Sequence, residues 1–346
     1  ANASEGTIDA RFAWAVASCC TTARPFHQMG SCLSSVVSSL VHHVRVKVAK
    51  DRVAGVIADV AADRAPENLV LHQKNIEGIG TTLLAEALAK NSTVTSLDMW
   101  SNDVGAIGAA AISQMLRTNS TMRRLDLCAA NLGDKGVREL VGGLSSNETL
   151  TELDLGGNGI TVTGVGALAS ALSKNTKLRT LDLRRNNLRQ QATEAIALAL
   201  VSNPSLTSLC LWGNAIGDRG AMSIAELLRV NFVLEDLCVF GNRIGDQGGI
   251  AIAGALLGNK GLRILDVRRN NLRLRAAVAF AEALRINTTL EVFDIWSNSM
   301  GLQGAKMLAE AAYSNGSLKS FDLIENMADM NTVDEIADTL STGQLY

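Results

Sequence analysis

The chain has 346 residues, 47% of them hydrophobic and 4% aromatic, and 32 basic against 34 acidic side chains leave a formal charge of −2. That balance argues against a protein that holds nucleic acid by charge, which needs a basic excess. Six cysteines are too few for a disulfide scaffold and read as reduced thiols of the cytosol or an organelle matrix, and no apolar run is long enough to span a bilayer.

Residues 1–44 stand apart from the rest. From Ala10 to Lys50 there is no acidic residue, but five Arg or Lys and three His. Such a basic, serine-rich segment reads either as a docking arm or as an organellar targeting remnant. Cytoplasmic residence is the first expectation and an organelle matrix after processing the alternative. Cys19, Cys20, His27, Cys32, His42 and His43 follow no standard zinc spacing, so no metal and no cofactor are expected. Residues 45–64, with Val53, Val56, Ile57 and Val60 at helical spacing, predict an N-terminal capping helix.

From residue 65 to 344 the sequence repeats every 28 residues without an insertion, giving ten windows that begin at 65, 93, 121, 149, 177, 205, 233, 261, 289 and 317. In the window from 149, Leu153 and Leu155 alternate with Glu152 and Asp154, the pattern of a short strand. Leu168, Ala169 and Leu172 then follow at helical spacing. Strand–helix units in series give parallel strands joined by right-handed crossovers. Strands stack at about 4.8 Å while packed helices need about 8–10 Å. The array must therefore curve, with strands on a concave wall on the order of 50 Å long.

Asparagine marks two joints. Position 10 is Asn in eight windows, Lys74 and Ala130 being the exceptions, and a buried amide there can pair backbone groups in the strand-to-helix turn. Position 27 is Asn in nine windows, from Asn91 to Asn315, and Gly343 in the tenth. Asn and Gly share a tolerance for the left-handed helix cap, so this position is expected at positive φ. On that basis Asn203→Gly should be nearly neutral and Asn203→Ala should cost about 1 kcal/mol. The end windows depart from the pattern, with Pro66 at the start, Ala328 and Met330-Asn331-Thr332 at the finish.

The LxxLxLxxNxL strand segment, the GxxGAxxLAxAL-like helix and the closing Asn resemble the ribonuclease-inhibitor-like leucine-rich repeats. The resemblance implies an α/β horseshoe solenoid of ten 28-residue repeats over residues 65–344, with parallel strands on the concave face and helices on the convex face. It also implies a binding protein. A protein-interaction scaffold, as a subunit of a larger assembly, is the first reading. A GTPase activator resembling the Ran GTPase-activating family is the alternative, although that family ends in an acidic tail and this chain ends STGQLY. A proteinaceous enzyme inhibitor is the third. Catalysis is not expected, because no His follows His72 and no phosphate-binding glycine loop stands between a strand and a helix.

Two positions project from the strands toward the concave side. Position 6 is Asp at 98, 126, 154, 182, 266, 294 and 322, and Cys at 210 and 238. The acids are expected to be hydrated or to pair with Arg on the same face, and the cysteines to be free thiols at strand spacing. Position 8 reads His72, Trp100, Cys128, Gly156, Arg184, Trp212, Phe240, Arg268, Trp296 and Ile324, and holds three of the four tryptophans. Trp and Arg are the residue types of interface hot spots. The expected partner-binding stripe is Arg184, Trp212, Phe240, Arg268 and Trp296, with Trp100 and the second arginines, Arg185 and Arg269. The motif RRNNLR occurs at 184–189 and again at 268–273, and 16 of 28 positions match between those two windows, so repeat duplication also contributes to the pattern. On the convex side, Gly248 to Gly258 carries no charge, which suggests a second covered surface. The partner is expected to be a protein, not nucleic acid.

Overall fold

The computed structural model describes residues 47–48, 51 and 53–326. The basic N-terminal segment, its cysteines and histidines and the departures of the last window from Ala328 on lie outside the described residues. Helix α1 covers residues 53–61, with Val53 and Val60 buried in the common core.

Ten strands follow, each three residues long: β1 Asn68–Val70, β2 Ser96–Asp98, β3 Arg124–Asp126, β4 Glu152–Asp154, β5 Thr180–Asp182, β6 Ser208–Cys210, β7 Asp236–Cys238, β8 Ile264–Asp266, β9 Val292–Asp294 and β10 Ser320–Asp322. The helices between them are α2 Gly78–Leu88, α3 Gly105–Thr118, α4 Gly133–Leu144, α5 Val162–Leu172, α6 Arg189–Leu200, α7 Gly217–Val230, α8 Asp246–Leu256, α9 Leu274–Ile286 and α10 Gly301–Ser314. The strands form one open parallel sheet in chain order. Every pairing joins equivalent positions, as in Leu153 with Leu181 and Asp154 with Asp182. An uninterrupted 28-residue period is what permits this register.

Repeats two to eight bury the same positions, whereas Pro66 in the first is exposed and Leu318, Phe321 and Leu323 in the tenth are half-buried. In the fourth, Leu150, Leu153, Leu155, Ile160, Val165, Leu168 and Leu172 lie in the core at 2% exposure or less. Phenylalanine takes over toward the C-terminal end, where Phe280, Phe293 and Phe321 stack with centroids 5.2 and 5.9 Å apart. Strand residues that point away from the helices, such as Asp154 and Arg184, are half-buried. The strand face is therefore the open side of the sheet.

The asparagines of position 10 form a buried ladder that Ala130 interrupts in the third repeat. Asn158 Nδ2 donates to Leu127 O of the preceding repeat and to Leu155 O of its own. Its Oδ1 accepts the N–H groups of Ala130 and Leu132. Each amide thus pairs backbone groups that the turn leaves unpaired on both sides of a repeat junction. In the third repeat Asn131, one place late, is exposed and reaches Asp103 Oδ1 at 2.8 Å, so it does not replace the missing rung.

The asparagines of position 27 do something different from the expected cap. Asn119, Asn231, Asn287 and Asn315 have φ between −70° and −96° and ψ between 120° and 128°, which is extended backbone. None of the nine is at positive φ. Their side chains carry the role. Asn203 Nδ2 donates to Leu172 O, a last-turn carbonyl of the preceding helix, and to Asn175 O. Its Oδ1 accepts from Ser205 N and Leu206 N. A helix leaves its last carbonyls without partners, and this amide supplies one across the repeat junction. The expected difference between Gly and Ala at Asn203 is overturned, because neither replacement keeps the amide.

Positive φ occurs one joint earlier. All ten residues of position 9, from Gln73 to Glu325, lie between +45° and +68°. The turn sends the position 9 N–H to the next repeat, as from Arg185 N to Trp212 O, and aims the following Asn inward.

Candidate interaction surface

The strand face is built on the aspartates of position 6. In all seven, Oδ1 accepts the N–H two residues on, at 2.9 Å for Trp100 on Asp98 and 2.8 Å for Arg184 on Asp182. This local bond fixes the end of the strand and the direction of the position 8 side chain. It also leaves Oδ2 free to meet a cation. The spacing of the aspartates carries no signal of this backbone duty, which depends on the turn that follows each strand.

Arg184 and Arg268 use those oxygens. Arg184 bridges Asp182 Oδ2 at 2.6 Å and Asp154 Oδ2 at 2.8 Å, with its Nη2 3.7 Å from Cys128 Sγ. It lies over Gly156, where a Cβ would come within 2.8 Å of Arg184 Cγ. Arg268 bridges Asp266 Oδ2 at 2.8 Å and Asp294 Oδ2 at 3.0 Å. The expected Asp–Arg pairing is present, and it consumes both guanidinium groups.

The charge balance along the ladder is uneven. Burial above all, and then the like charges of Asp182 and Asp126, push the Asp154 carboxyl up to about 6, against the N–H of Gly156 and the charge of Arg184. Burial also raises Asp126 and Asp294. Burial works against the Arg184 charge, but the Cys128 thiol and the two carboxylates outweigh it and hold the guanidinium charged. In β6 and β7 the aspartate gives way to Cys210 and Cys238, which are paired in register and are both free. Cys238 donates to Asp266 Oδ2 at 3.4 Å. Its hydrogen bond with Cys210, followed by burial, pushes its thiol up.

The second arginines stack on the rings. Arg185 lies 4.3 Å from the Trp212 ring centre. Trp212 stacks on Phe240 at 5.2 Å with planes 6° apart. Arg268 and Arg269 cover Phe240 at 5.2 and 5.7 Å, and Arg269 also covers Trp296 at 4.7 Å. One continuous stack thus runs from the fifth to the ninth repeat. Of the residues read from the sequence, Trp212, Phe240, Arg268, Trp296, Arg185 and Arg269 come together. Arg184 turns away from Trp212 toward the preceding repeats, because two carboxylates outweigh one ring. Trp100 is separate, edge-on to His72 at 5.8 Å, and His72 Nδ1 is 2.8 Å from Asp98 Oδ2.

Among the described residues, no group of three His, Cys, Asp or Glu is placed to hold a metal ion, and no helix is long and apolar enough to cross a membrane.

Residues 90–113, 146–169, 174–197, 202–225 and 230–253 match the family model described as Leucine Rich repeat. Each stretch runs from the end of one helix through the Asn of position 27 and the strand into the next helix. The third repeat, where Ala130 interrupts the asparagine ladder, falls between two of the matches. No curated protein matches the chain. Among solved structures it is similar to Leiomodin-1 Actin-Binding Site 2, with 19% identity and a TM-score of 0.36 over 44% of this chain and 90% of that one. The 28-residue unit that lays down the sheet and its asparagine ladders is a leucine-rich repeat, and the described chain is a leucine-rich-repeat solenoid.

Proposed function

We propose that this protein is an interaction scaffold, of the ribonuclease-inhibitor-like kind, that takes a protein partner on the strand face through Arg185, Trp212, Phe240, Arg268, Arg269 and Trp296. One observation carries the reading. Large rings and guanidinium groups are held in order on the open side of the sheet, while the core is made by leucines on the other side of the same strands. The stack lies outside the buried core, and side chains ordered before binding lose less entropy on docking.

The test is affinity capture with the full chain, followed by identification of bound proteins and measurement of Kd for wild type, Trp212→Ala and Trp296→Ala. A hot-spot role predicts about thirtyfold weaker binding for each variant with thermal unfolding little changed. Lost stability with unchanged binding would assign the rings to structure and the partner to another face.

A further inference from the structure

The loops that leave the C-terminal ends of the strands stack along one rim of the sheet, and on repeats five to eight this rim carries seven arginines against two carboxylates, Asp218 and Asp246, whose Oδ1 atoms accept N–H groups of the next repeat. Arg185, Arg189, Arg243 and Arg269 belong to the turns and are exposed. Arg219, Arg273 and Arg275 are exposed at the starts of α7 and α9, where helical side chains lean back toward the helix N-terminus and so toward the same rim. Backbone bonds from one turn to the next, such as Arg189 N to Asn214 O and Gly217 N to Asn242 O, keep the turns in register. None of these arginines has a carboxylate within ion-pair reach among the described residues, in contrast to Arg184 and Arg268 on the strand face beside them.

Two local costs show that the fold alone does not favour arginine here. Arg185, Arg189, Arg243 and Arg269 have φ of +52°, +54°, +60° and +45°, a region that disfavours any residue with a Cβ, and Gly157, Gly217, Gly159 and Gly241 take the equivalent places in sister repeats. Helices α6 and α9 also have no acidic residue in the first turn, and cations there oppose the positive end of the helix dipole. Duplication of RRNNLR accounts for Arg185, Arg189, Arg269 and Arg273. It does not account for Arg219, Arg243 and Arg275, which lie outside that motif.

We infer that this rim docks an acidic protein segment, whose carboxylates pair with guanidinium groups that have no carboxylate partner in the fold while its neighbouring side chains meet the ring edges of the stack. This deepens the scaffold reading and rests on it. Carboxylate fits the planar fork of arginine, which offers two parallel donors. A single-stranded nucleic acid would need free ring faces for its bases. Those of Trp212 are taken by Arg185 and Phe240. A phosphate chain crossing onto the strand face would also meet the aspartate ladder.

The experiment uses the full chain and fluorescence anisotropy with labelled polyglutamate, polylysine and oligouridylate. Polyglutamate should bind, more weakly as salt rises, and polylysine should not bind; polylysine bound as tightly as polyglutamate overturns the inference. The double variant Arg243→Glu with Arg273→Glu should weaken it about tenfold or more. Lys174→Glu with Lys260→Glu, the same charge change on the opposite rim, should leave it unchanged. No polyglutamate binding, or equal loss in both double variants, overturns the inference. Oligouridylate bound more tightly than polyglutamate, and released by the Arg243/Arg273 variant, overturns the choice of ligand. The readout is independent of Trp212→Ala, so failure of the rim and failure of the strand-face stack are distinguishable.

Discussion

Two sets of ladders run along the solenoid in the same register, and they differ in what sets their composition. The asparagine ladders are buried and nearly uniform, because the inner rungs supply both donors and acceptors to backbone groups at a repeat junction, whereas Asn326 in the last described rung supplies donors alone. The ladder of position 8 faces outward and holds seven residue types over its ten rungs, Trp at three and Arg at two. Inside, a change of residue leaves buried polar groups unpaired. Outside, solvent replaces whatever is removed, so composition is free to follow a partner. Uniformity in a repeat protein thus reports on the fold, and the exposed face, where the proposed partner contact lies, is left free to vary.

The sharpest way to break this comparison is to remove an inner rung. Asn214 is fully buried, and its amide donates to Leu183 O and Leu211 O. Asn214→Ala should cost about 3 kcal/mol or more, because several buried backbone groups lose their partners together. Denaturant unfolding measures this, and a cost below that of Trp212→Ala would erase the distinction between the ladders.

Next in size is the other inner ladder. Asn203→Ala and Asn203→Gly should each destabilise by about 2 kcal/mol, through the lost bonds to Leu172 O and Leu206 N. A Gly variant close to wild type would revive the left-handed cap. On the strand face, Trp212→Ala should lower stability by only about 1 kcal/mol, the worth of its stacking contacts. Under the proposed role its larger effect is expected on partner affinity.

Asp154 belongs to both worlds, since Oδ1 holds the turn at Gly156 while its charge crowds those of Asp126 and Asp182. Its folded value, about 6, lies above the ordinary 3.8. The folded chain therefore binds its proton more tightly than the unfolded one. Stability is full below pH about 4 and falls as pH rises to about 6, by about 2 kcal/mol. Unfolding free energies across that window should show this slope in wild type and not in Asp154→Asn, which keeps Oδ1. Equal slopes would assign the pH dependence to other groups. The smallest effect is expected for Arg185→Gly. Relief of the positive φ and loss of the contact with Trp212 nearly cancel, so thermal unfolding should move little. A large loss would make Arg185 a structural residue.

Much of the fold was legible because a repeat writes the same constraint many times. Leu153, Leu155, Leu168 and Leu172 fall on the buried sides that their periodicities dictate. The positions that line the strand face were legible as a set. The sequence could not say that Arg185 rather than Arg184 would cover Trp212, because adjacent arginines are equivalent until neighbouring repeats supply Asp154 and Asp182 on one side and a ring on the other.

By itself, then, the sequence determined the strand–helix unit, its register and the line of outward positions, since a period of 28 residues without insertion admits only one way to bring equivalent residues side by side. Tertiary structure alone decided what each polar side chain does. The asparagines of position 27 bond carbonyls 31 residues back, as from Asn203 to Leu172, and this made them bridges between repeats rather than left-handed caps. Composition at a helix end reports the local backbone preference of Asn and Gly. Which preference is used depends on partners that only the stacking of whole repeats brings within reach.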